Sequence, residues 1–227
     1  LWTVRASTEL DTPGLAEAND LELILRVEES IDGAPSGSDP PVLTVTLRPQ
    51  SLKEGHAERS PGTPLTLRLK VDELGRIRSL QTSEIPATSL QALELDRLVT
   101  EFRPVLPAHA IAIGDTWPAG VRVDGSVSQI RLDGEGRLEA FRLKAGRRLA
   151  VIRIERSGTV VTTQAVGRAQ VQLPGTVTSN TTAEIDTQRG GLYSAVTRSV
   201  TQFTLSGQGS GLAGRFKVVI DMRVELT

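Results

Sequence analysis

Phe216-Lys217-Val218-Val219-Ile220-Asp221-Met222-Arg223-Val224-Glu225-Leu226-Thr227 decides the fold class. Phe216, Val218, Ile220, Met222, Val224 and Leu226 hold one parity, while Lys217, Asp221, Arg223 and Glu225 hold the other. Successive side chains of a strand point to opposite faces, so this alternation sets one face against an apolar interior and the other in water. Leu65, Leu67, Leu69 and Val71 repeat the pattern against Thr66, Arg68, Lys70 and Asp72. At about 3.3 Å per residue the terminal stretch reaches roughly 40 Å, longer than a usual sandwich strand. A twisted sheet of such strands tends to curl. The expected fold is mostly β: a curled antiparallel sheet or sheets, or a half-barrel.

Working outward, further strands are expected near 2–10, 21–30, 42–48 and 76–82, then 126–132, 137–143, 147–156, 158–172, 176–187 and 191–205. Asp32-Gly33, Gly75, Asp133-Gly134-Glu135-Gly136, Ala145-Gly146 and Arg189-Gly190-Gly191 supply turn chemistry between them. One segment departs from the pattern. Thr88-Ser89-Leu90-Gln91 matches a capping box, and Leu95, Leu98, Val99 and Phe102 follow at helical spacing until Pro104. One principal amphipathic helix is therefore expected at about 88–103. Val71-Asp72-Glu73-Leu74-Gly75 has a counterpart at Ile185-Asp186-Thr187-Gln188-Arg189-Gly190, which suggests a duplication. On that reading 1–107 is a first β unit plus helix and 108–227 a second β unit, the two sharing one core.

Composition removes several function classes. A net charge of −1 gives no field for nucleic acid, and 3% aromatics cannot build base-stacking platforms. With no cysteine there is no disulfide framework and no thiolate metal site. Arginine far outnumbers lysine, a bias that a GC-rich genome produces without phosphate recognition. His56 and His109 lie in polar connections without a metal-ligand spacing. Gly207-Gln208-Gly209 leads into strand-like sequence, not into the helix a phosphate cradle needs. No nucleophile elbow occurs, and no carboxylate pair stands out. Neither an enzyme nor a cofactor or metal is expected.

The only methionine is Met222, and the chain opens on Leu1-Trp2-Thr3-Val4, already strand-like. A leading signal peptide or lipid-bearing cysteine is expected upstream, giving peripheral membrane association in the periplasm or cell envelope. The expected ligand is a lipid or other hydrophobic molecule, held between helix and sheet. Leu95, Leu98, Val99 and Phe102 would form one wall. Leu67, Leu69, Val218 and Ile220 would form the other. Trp117 is a core anchor or a rim contact to that ligand. The alternative is an envelope scaffold packed throughout.

Gly114-Asp115-Thr116-Trp117, preceded by a helix and a Leu-Pro segment and followed by a β-rich half with a Gly-Gly-Leu strand start, resembles an uncharacterised family of bacterial exported proteins and lipoproteins. That resemblance implies export and no activity. In architecture, a curled sheet plugged by a helix is similar to the LolA-like lipoprotein carriers and the mycobacterial lipid-carrier lipoproteins, which carries shape and not function.

Overall fold

The computed structural model describes residues 2–11, 19–32, 41–60, 63–82, 103–124, 128–166, 169–206 and 213–225. Every regular element among them is a strand. They are β1 (Trp2–Asp11), β2 (Asn19–Asp32), β3 (Val42–Glu54), β4 (Ala57–Arg59), β5 (Leu65–Val71), β6 (Ile77–Thr82), β7 (Thr116–Pro118), β8 (Val121–Asp124), β9 (Ser128–Lys144), β10 (Arg147–Val166), β11 (Ala169–Asp186), β12 (Gly191–Ser206) and β13 (Ala213–Glu225). Residues 88–102 of the helix expected at 88–103, with Leu95, Leu98, Val99 and Phe102, lie outside the described residues, which resume at Arg103.

All pairings are antiparallel, in the order β6-β5-β3-β2-β1-β13-β12-β11-β10-β9-β7, with β4 on β3 and β8 on β9. The path is an open one: among the described residues no ladder joins β6 to β7 or β8. Its two ends nevertheless touch, β6 against β8. The sheet therefore curls round a single apolar cluster. Leu23 and Leu25 of β2, Leu67 and Leu69 of β5, Ile130 of β9, Ile154 of β10 and Met222 of β13 all belong to it.

Two expected breaks are absent, and glycine explains both. Asp133-Gly134-Glu135-Gly136 is not a turn; β9 runs straight through it, opposite Ser157 to Ile154 of β10. A Cβ on Gly136 would stand 2.5 Å from the Trp117 ring, and one on Gly134 would stand 2.6 Å from Cγ of Arg156. These glycines make room for two large side chains. β10 likewise passes through Gly158, where a Cβ would run into the Arg131 carbonyl. The break it does have comes after Val166, so 169–172 belong to β11. Strand glycine here marks close approach, not reversal.

The turns that are present use left-handed backbone. Ala145 and Gly146 both have positive φ, 49° and 74°, in the β9–β10 hairpin. Gly75 (80°) and Gly190 (69°) end two turns built alike. Asp72 Oδ1 accepts from the N–H groups of Leu74 and Arg76. Asp186 Oδ1 accepts from those of Gln188 and Arg189. Burial raises the Asp186 carboxyl, but the Arg189 and Gln188 N–H groups and the charges of Arg147 and Arg189 outweigh it and hold it below the ordinary aspartate value.

Candidate functional site: a cleft at the seam

Where the two ends of the sheet meet, a short strap of chain does the joining. Leu106 N–H donates to the Leu74 carbonyl of the β5–β6 turn, at 2.8 Å. On the other side, Trp117 Nε1 donates to the Val105 carbonyl at 2.7 Å. Gly75 lets the strap lie close, since a Cβ there would stand 2.9 Å from the Pro104 carbonyl. Arg156, reaching up from β10, ties the third side. Its Nε donates to the Ala119 carbonyl at 2.8 Å, and its Nη2 to the Arg103 carbonyl at 3.2 Å. Buried backbone acceptors need such partners, and here side chains supply what a ladder would.

Gly114-Asp115-Thr116-Trp117 sets the tryptophan in place. Gly114, at φ 97°, donates to the Leu138 carbonyl, and Leu138 N–H donates back to the Asp115 carbonyl. The Asp115 carboxylate accepts from Ala112 N–H at 2.8 Å. The motif thus docks the chain on β9 two residues before Trp117, whose ring lies over Gly136 and is buried.

The stitched seam leaves a cleft of about 450 Å³. Its floor is apolar: Ile77, Val105, Val121 and Leu132, all buried. Its upper walls carry Arg76, Arg78, Arg103 and Arg122, with Asp133 the acid among the lining residues. Arg78 pairs with Asp72 at 2.8 Å, and Arg76 reaches the same carboxylate at 3.6 Å. Arg103 pairs with Glu29 at 2.6 Å. Arg122 and Asp133 stand 3.8 Å apart, both exposed. Arg103 Nε is buried and meets no hydrogen-bond partner.

The residues expected to bind ligand fall elsewhere. Leu67, Leu69, Ile220 and Trp117 are buried members of the common cluster, and Val218 packs against it half-buried. None of these five lines the cleft. Leu95, Leu98, Val99 and Phe102 lie outside the described residues. The cleft itself is assembled from four separate stretches, and each of its arginines, seen singly, reads as a polar strand or loop residue. The one available signal was the recurrence of arginine beside the turn, at Arg76 and Arg78.

His56 and His109 are both exposed. Among the described residues no three acidic, histidine or cysteine side chains are grouped to hold a metal ion. No helix among them is long and apolar enough to cross a membrane. Comparison with protein-family models and with curated proteins finds no match for the chain.

Proposed function

We propose that the chain is an exported, non-enzymatic binder or carrier of a hydrophobic ligand, a lipid or acyl chain, acting in the periplasm or cell envelope. The observation that carries this reading is the seam cleft. Its volume falls within the range of small-molecule pockets, about 300–1,000 Å³. Its floor is a patch of the apolar core, Ile77, Val105, Val121 and Leu132, laid open where the sheet lacks a ladder. Burying an acyl chain there would contribute about 25 cal/mol per Å² removed from water. The likeness of Gly114-Asp115-Thr116-Trp117 to exported proteins and lipoproteins supports the location, with a lipid anchor supplying membrane association.

The test is solvent extraction and mass spectrometry of natively purified protein, followed by titration with a fluorescent fatty acid. Stoichiometric lipid or saturable uptake is expected, with uptake lost in Val121→Trp, which fills the cleft from its floor. Empty protein that takes up no fatty acid would sink the reading. That result would favour an envelope scaffold, for which the exposed Leu143 and Val196 side chains offer contact points, at 79% and 55% exposure.

A further inference from the structure

We infer that the seam cleft is an oxyanion site: it holds the carboxylate or phosphate of its ligand between Arg76, Arg78 and Arg122, with Arg103 in the wall beneath. The inference deepens the carrier reading and rests on it for the apolar tail, but not for the charged head.

Among the described residues, four guanidinium groups face three carboxylates, because Arg76 and Arg78 share Asp72. The sharing is unequal: Arg78 lies at 2.8 Å and Arg76 at 3.6 Å. Arg122 has only a 3.8 Å contact to an acid that is itself 94% exposed. Each guanidinium carries five donors in a planar fork suited to two oxygens at once. Arg76 and Arg122 therefore keep donors to spare on opposite sides of one hollow, in a chain whose overall charge is −1.

A second observation points the same way. Nε of Arg103 is buried and lacks an acceptor, although the same side chain holds Glu29 through Nη2. An unpartnered buried donor is uncommon and unfavourable in a folded protein. Arg103 lines the cleft, so an oxygen bound there that draws the side chain outward would give Nε its acceptor, and the adjoining apolar floor weakens solvent screening of that contact. A head group that is charged, and a tail that is not, match the two levels of the cleft.

The experiment is calorimetric titration of the full chain with three probes: oleate, oleyl alcohol and inorganic phosphate. The proteins are the wild type, the exposed single variant Arg122→Gln, the triple variant Arg76→Gln/Arg78→Gln/Arg122→Gln, and Arg198→Gln. Arg198 pairs with Asp221 on β12 and β13 and does not line the cleft, so it controls for charge. Oleate is expected to bind at least about tenfold tighter than oleyl alcohol. That preference should shrink in Arg122→Gln, vanish in the triple variant and persist in Arg198→Gln. Arg122→Gln keeps the test alive if the triple variant does not fold. Equal affinity for oleate and oleyl alcohol overturns the oxyanion site while leaving a carrier. Phosphate binding that the arginine variants abolish, without uptake of either lipid, upholds the oxyanion site and removes the carrier. No binding of any probe overturns both.

Discussion

Two walls of the same interior are built on different chemistry. On β2, β3 and β5 the inward positions are Leu23, Leu25, Val45, Leu47, Leu65, Leu67 and Leu69, each essentially without solvent exposure. On β11 and β12 the positions on the core side include Ser179, Thr181, Thr197, Ser199 and Thr201, buried to the same degree. The ladder sets Thr181 opposite Thr197 and Ser179 opposite Ser199. The first pair closes a hydroxyl–hydroxyl hydrogen bond of 2.9 Å. Arg156 lies opposite Ser179 on the neighbouring strand. Burial is thus no measure of apolarity in this protein. One wall is held by area removed from water; the other buries hydroxyls, of which Thr181 and Thr197 satisfy each other while Thr201 Oγ1 has no partner, in a setting where unsatisfied groups are unfavourable.

The sharpest way to break this comparison is to cut each wall at one point. Leu67→Ala should cost about 2–5 kcal/mol, since it removes a fully buried side chain and leaves a cavity. Urea unfolding measures it, and a cost under about 1 kcal/mol would mean the leucine wall can collapse. Gly136→Ala comes next, at about 1–3 kcal/mol from overpacking against Trp117. A loss of the tryptophan's native fluorescence should accompany it. On the hydroxyl wall, Thr197→Val alone should cost about 1 kcal/mol, because the Thr181 hydroxyl loses its partner. Adding Thr181→Val should restore most of that, and a double-mutant cycle reads the coupling. If the double variant is as unstable as Leu67→Ala, the two walls are not different in kind. Thr201 Oγ1, buried without a partner, gives a smaller effect of opposite sign. Thr201→Val should stabilise by up to about 1 kcal/mol.

The smallest effect concerns acid. Asp186 has its folded-state pKa below the unfolded one, so its contribution is complete above the unfolded value of about 3.9 and fades as pH falls through the folded value. Asp186→Asn keeps a side-chain oxygen for the turn and loses this dependence. Wild type and variant should therefore differ most near neutral pH and converge only as pH falls from about 3.9 through the lower folded value. Urea midpoints across that range check it.

The leucine wall was legible in the sequence, and the hydroxyl wall was not. Leu65 to Val71 alternate with polar residues, so parity alone names the buried face. Thr176-Val177-Thr178-Ser179-Asn180-Thr181 offers β-formers of similar size on both faces, and nothing in it says which side is dry. Turn glycines at Gly75, Gly146 and Gly190 were legible because an Asp three or four residues earlier (Asp72, Asp186) or an adjoining small residue (Ala145, Gly191) marks a reversal between two strand-like runs. Gly134, Gly136 and Gly158 look the same in sequence, yet they serve Trp117, Arg156 and a neighbouring carbonyl. The reason lies across the sheet, where local pattern has no reach. The cleft was illegible for the same cause: Arg76, Arg103 and Arg122 meet only because the sheet curls end to end. The helical periodicity of Leu95, Leu98, Val99 and Phe102 falls outside the described residues.

The ladder between β1 and β13 has a consequence for how the molecule comes into being. Most other ladders join strands close in the chain, and those can zip as soon as both arms exist. Trp2 to Asp11 must instead find Arg215 to Val224, the longest loop closure in the structure. During folding β1 keeps one edge unpaired until β13 reaches it. High contact order slows folding, and an unpaired edge invites other chains while it lasts. The central junction of the finished sheet is thus its latest event, and a pulse of hydrogen exchange during refolding should find β1 and β13 protected after the hairpins on either side.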